Sequence, residues 1–114
     1  MTISTVRTDT KGKTVTYSVR GTYVQLEASQ EIRVLGKASG GAWLVSSSAT
    51  LGRTTWQVEL STTYIGPIAL KAVVVDGAAS SCADTFCLLK EYRNEGWDSG
   101  RIRATSAPTI VQPG

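Results

Sequence analysis

From Thr14 onward, apolar and polar residues alternate. Val15, Tyr17 and Val19 fall on one side, and Thr14, Thr16, Ser18 and Arg20 on the other. A period of two is that of a half-buried strand, here ended by Gly21. Tyr23, Val24 and Leu26 form a short apolar patch, read as an edge segment. Glu31 to Leu35 reads as a second main strand with Ile32 and Val34 inward, stopped by Gly36 and the Ser39-Gly40-Gly41 run. Trp43-Leu44-Val45 opens a third strand, which Ser46-Ser47-Ser48 carries towards Leu51. After a Gly52-Arg53 turn, Trp56, Val58 and Leu60 alternate cleanly with Gln57 and Glu59. Ile68 to Val75, bounded by Gly66-Pro67 and Asp76-Gly77, is apolar apart from Lys71, the pattern of a central strand covered on both faces. Strands recurring every 8–12 residues or roughly so, with turn residues between them, point to an antiparallel sandwich. Residues 1–13 are polar and threonine-rich, with a turn at Lys11-Gly12-Lys13, and read as a flexible arm or linker.

The pattern changes after residue 80. Cys82, Phe86, Leu89 and Tyr92 share one face at helical spacing. Ser81 with Asp84 resembles a capping box, and Gly96 stands where a left-handed C-terminal cap belongs. A helix over about 81–95 follows. Beyond it, Ile102 with Ala104 and then Ile110-Val111 offer short closing strands, limited by Pro108 and Pro113. Cys82 and Cys87 are five apart, which on a helix turns them roughly 140° from each other and beyond bridging distance. Helix and disulfide therefore exclude each other. The helix is favoured, with two free thiols and a cytoplasmic location; a Cys82–Cys87 bond would mean an exported protein.

Composition narrows the chemistry. The 114 residues include fifteen threonines and eleven valines, β-branched types that suit strands, and no histidine. Without histidine the usual general base, proton switch and commonest metal ligand are missing together. Two cysteines cannot close an all-cysteine zinc site. The acidic turns at Asp76 and Asp98 lack a calcium-loop pattern. The glycine-rich 36–41 stretch lacks Walker spacing. Neither an enzyme nor any cofactor is expected. A net charge of +3, with basic residues scattered along the chain, fits a solvated surface better than a nucleic-acid interface. No apolar run is long enough to insert in a membrane.

The stretch from Val15 to Asp76 resembles bacterial immunoglobulin-like modules. Val19-Arg20-Gly21, Ile32-Arg33-Val34, Trp43-Leu44-Val45, Thr55-Trp56-Gln57-Val58 and Ile68 to Asp76 with its Leu70-Lys71-Ala72 core carry the resemblance. The antibody-type Cys–Trp–Cys spacing is absent. The expected helix makes the chain similar to extended variants that serve as accessory parts of larger bacterial proteins. The fold class expected is thus mainly β: an immunoglobulin-like antiparallel β-sandwich of about seven strands over residues 14–114, with one helix before the last strands. The resemblance implies adhesion, spacing or recognition, and no functional residue carries over. A non-catalytic module that binds a protein partner or positions neighbouring domains is the first expectation. The alternative is a carbohydrate-binding module. Candidate contact residues are Trp97, Tyr64, Tyr23, Arg101 and Arg103, with Trp97 or Trp43 as the sugar-stacking aromatic. Trp56 reads as core. An edge strand such as Thr14–Arg20 or Ile102–Ala104 is also able to pair between chains.

Overall fold

A computed structural model describes residues 1–38, 43–76 and 102–112. They form nine strands: β1 (Thr2–Lys11), β2 (Thr14–Thr22), β3 (Gln30–Ala38), β4 (Trp43–Val45), β5 (Thr50–Leu51), β6 (Thr55–Thr62), β7 (Ile68–Asp76), β8 (Ile102–Thr105) and β9 (Thr109–Val111). All pairings are antiparallel, in two sheets. One runs β1-β2-β6-β5. The other runs β4-β3-β7-β8, with β9 on the same flank of β7 as β8.

The alternation read from sequence builds the core between the sheets. Val15, Tyr17 and Val19 of β2 and Trp56, Val58 and Leu60 of β6 face Ile32 and Val34 of β3 and Ile68, Leu70, Ala72 and Val74 of β7. Val73, Val75 and Leu35, on the opposite faces of β7 and β3, are buried as well. The near-continuous apolar run of β7 thus has the two-sided burial its pattern predicts. Arg33, also buried on that second face, donates from Nε to Glu31 Oε1 at 2.9 Å and from Nη1 to the Ser46 carbonyl at 3.3 Å.

Several expectations change. Thr14–Arg20 is no edge: β2 lies between β1 and β6. The segment read as an arm carries β1, paired with β2 along its length. Gly21 does not stop β2. A side chain there would overlap the Thr2 carbonyl and the Trp56 indole, so glycine lets strand and ring close together. The indole Nε1–H donates to the Thr22 carbonyl at 3.3 Å. Gly36 likewise lies inside β3, opposite Leu70. Tyr23 to Leu26 belongs to no strand, and Val24 is 91% exposed. The stretch from Trp43 to Leu51 splits into β4 and β5, which join different sheets. The helix expected over 81–95 and both cysteines lie outside the described residues, among which there is no helix. None of those residues therefore forms a helix able to cross a membrane.

Candidate functional site

Backbone at a sheet edge carries unpaired N–H and C=O groups, so the edges are where a β-protein meets other chains. Among the described residues the two sheets present four edges, and they are unequal. β4 has three residues and β5 two. The fourth-strand flank of β7 is divided between β8 and β9. β1 alone is long, at ten residues.

Serine side chains interrupt two of the short edges in the same way. On the β4 side, the Ser46 N–H donates to the Val34 carbonyl at 2.9 Å, and the Val34 N–H donates to Ser46 Oγ at 2.8 Å. The Ser46 hydroxyl then donates to the Ser47 carbonyl at 2.7 Å. On the β8 side, the Ser106 N–H donates to the Ala72 carbonyl at 2.9 Å, and the Ala72 N–H to Ser106 Oγ at 2.9 Å. The Ser106 hydroxyl donates to the Ala107 carbonyl at 3.1 Å. In each case the hydroxyl replaces the serine's own carbonyl as ladder acceptor. The chain then bulges by one residue before pairing again, through Ala49 N–H to the Ile32 carbonyl on one side and Thr109 opposite Leu70 on the other. Val34 and Ala72 are themselves register partners. The two devices are therefore related by an approximate two-fold axis between those residues, although no repeat is visible in the sequence. Each breaks the straight row of donors and acceptors that a foreign strand would need.

β1 has no such interruption beyond a register shift between Ile3 and Thr5. Ile3 and Val6 are half-buried against the core, and its other residues are exposed. Arg7 and Asp9 project from the outer face, in register with Ser18 and Thr16 of β2. Neither side chain makes a hydrogen bond or ion pair among the described residues. Beside this edge, the outer face of β1, β2, β6 and β5 forms a shallow depression of ≈ 780 Å³. Arg7, Arg20, Ser18, Gln57, Glu59 and Thr50 are among its lining residues. The Ser18 hydroxyl donates to Glu59 Oε1 at 3.3 Å, and Thr16 Oγ1 lies 3.0 Å from Ser61 Oγ. These are exposed hydrogen bonds between neighbours on a wet face. An activated nucleophile needs a base held in place by a third group, which this pair lacks. A smaller apolar hollow of ≈ 240 Å³ lies between Lys37, Pro67, Ala69 and Ile110.

Among the described residues no cluster of three or more acidic or cysteine side chains could hold a metal. The one perturbed titratable group among the described residues is in the core. Tyr17 is fully buried with a hydroxyl that has no partner among the described residues, and burial, followed by nearby Tyr64, raises its pKa above the ordinary value of 10.0.

Of the contact residues expected from sequence, the two whose side chains are described, Tyr23 and Tyr64, lie towards opposite ends of β6. Tyr23 is half-buried and donates from its hydroxyl to the Gly52 carbonyl at 2.7 Å, in the turn between β5 and β6. Tyr64, also half-buried, follows the far end of β6, and its N–H donates to Thr62 Oγ1 at 3.1 Å. Trp43 opens β4 opposite Lys37, and Arg103 lies on β8; the side chains of both fall outside the described set. Trp97 and Arg101 lie outside it altogether. Ser46, Ser106 and the β1 edge were missed. The Ser46-Ser47-Ser48 run and the Ser106-Ala107-Pro108 step were the available signals, each a polar interruption between β-forming residues. No protein-family model, curated protein or solved structure matches this chain significantly.

Proposed function

We propose that the chain is a non-catalytic, immunoglobulin-like recognition module that meets a protein partner by strand addition at β1. The strand order β1-β2-β6-β5 facing β4-β3-β7-β8 supports the immunoglobulin-like part of this reading. It corresponds to an ABED sheet opposite a CFG sheet with one added edge strand. The observation that carries the functional part is the inequality of the edges: among the described residues β1 is long and unpaired on its outer side, while the other edges are short or broken by bulges. An extended segment docked there gains main-chain hydrogen bonds, and the side chains of alternate residues give it specificity. Such a module can equally link and position the domains of a larger protein.

The test is selection of extended peptides from a displayed library, followed by backbone amide shift mapping. Bound peptides are expected to shift amides of β1. Thr8→Lys places a charge on the core-facing side of the edge, where an added strand would cover it, and is expected to abolish binding. Peptides that shift amides elsewhere, or that bind Thr8→Lys unchanged, would refute strand addition. A glycan array run in parallel tests the carbohydrate-binding alternative, which rests on Trp43 and Trp97.

A further inference from the structure

We infer that the partner strand for β1 is β1 of a second copy, paired antiparallel about a two-fold axis through Thr8. This rests on the strand-addition reading and deepens it by naming the occupant and its register.

Charge complementarity selects this occupant. In an antiparallel pair of identical strands, the residues opposite each other have numbers of constant sum, and side chains opposite each other share a face. With Thr8 opposite Thr8 of the second copy, Arg7 stands opposite the other copy's Asp9, and Asp9 opposite the other copy's Arg7. Both pairs lie on the outer face, where Arg7 and Asp9 have no partner among the described residues of their own chain. Moving the register by one pair destroys this. Centring on Arg7 sets arginine against arginine. Centring on Asp9 sets aspartate against aspartate and Arg7 against Lys11. Directly opposed like charges destabilise a strand pair and opposed unlike charges stabilise it. The sequence Arg7-Thr8-Asp9 is thus self-complementary at one register that keeps most of the strand paired.

The inner face agrees. There Val6 meets Thr10, and Thr8 meets Thr8, so no charge is buried beneath the junction. The register spans Thr5 to Lys11 in both copies, beyond the Ile3/Thr5 irregularity. The result is one continuous sheet, β5-β6-β2-β1 followed by the second copy's β1-β2-β6-β5, with a closed two-fold interface of the commonest kind. The bulges at Ser46 and Ser106 direct this association to β1 by disqualifying the opposite sheet's edges.

The experiment is sedimentation velocity on the full chain over a concentration series up to about 1 mM, a range that reaches weak dimers. The wild type is expected to dimerise. Arg7→Asp and Asp9→Arg each turn two attractive pairs into repulsive ones, and each is expected to weaken the dimer roughly tenfold or more. The double exchange Arg7→Asp with Asp9→Arg restores both pairs and is expected to recover wild-type affinity. A wild type that stays monomeric throughout, single variants that dimerise unchanged, or a double exchange that fails to recover would each overturn the inference. If the wild type is monomeric but selected peptides still shift β1 amides, the second copy is wrong while strand addition stands.

Discussion

Replacing Ser46 with alanine removes one hydroxyl and should cost much more than an ordinary serine substitution. Ser46 is 2% exposed, and its Oγ accepts the Val34 N–H at 2.8 Å. Val34 is in the core with no exposed surface, so its N–H has no water to turn to. Leaving a buried donor unpaired costs about 1–3 kcal/mol. The second hydrogen bond lost, to the Ser47 carbonyl, adds little, because Ser47 is exposed and water can replace the donor. Ser106→Ala removes the equivalent acceptor from the buried Ala72 N–H and should cost the same. The two serines are separated by three strand spacings, roughly 14 Å, so the effects should add to within about 0.5 kcal/mol. Urea unfolding is the assay. With a slope of about 2 kcal/mol per molar, each single variant should move the midpoint down by about 1 M and the double variant by about twice that. Ser46→Thr, which keeps the hydroxyl, should stay closer to wild type. An unchanged midpoint for either alanine variant would refute the idea that the hydroxyl is the acceptor. A double variant no worse than the singles would refute the independence of the two devices.

Gly21→Ala forces a methyl group against the Thr2 carbonyl and the buried Trp56 ring, and should destabilise by about 1–3 kcal/mol, read as a lower melting temperature by tryptophan fluorescence. Tyr17→Phe removes a buried hydroxyl with no partner among the described residues and should leave stability at neutral pH unchanged or raised by about 1 kcal/mol. Because folding raises the Tyr17 value, its ionisation opposes folding: there is no penalty below about pH 10, and stability is lost as pH rises from there through the native value. Alkaline unfolding should accordingly shift to higher pH in Tyr17→Phe, and an unshifted alkaline midpoint would contradict this. Glu31→Gln leaves the buried Arg33 without its carboxylate and should cost about 1–3 kcal/mol in urea unfolding; the lower end applies because the Glu31 side chain is 27% exposed.

Strands whose apolar residues keep a period of two were legible. β2, β6 and β7 declare themselves because each buries one or both faces along an unbroken register. β8 and β9 were legible as short closing strands from the isolated apolar residues Ile102, Ala104 and Ile110-Val111, with Pro108 at the break. β1 was hidden by its own irregularity. Ile3 and Val6 are three apart, which reads as neither strand nor helix, yet the register shift between Ile3 and Thr5 brings both to the core face. Beyond Val6 the strand overhangs the core, so both faces are polar and the sequence resembles a linker. The fates of Gly21 and Gly36 depended on what packs against them, which local sequence does not carry. The Ser46 and Ser106 bulges are defined by hydrogen bonds to strands 12 and 34 residues away, so a polar run was all the sequence could display. The candidate surface was illegible for a related reason: an open edge is a property of the finished sheet order. Arg7-Thr8-Asp9 became meaningful only once β1 was found at the rim.

The central claim, that β1 is the surface where this protein meets another chain and that the other chain is its own copy, can be tested by isotope-filtered NOE measurement. A concentrated one-to-one mixture of labelled and unlabelled protein reports only contacts between copies. Cross-peaks are expected from Thr8 to Thr8 and from Val6 to Thr10 of the second copy. Intercopy contacts from a different strand or a different register, or none at all at about 1 mM, would contradict it.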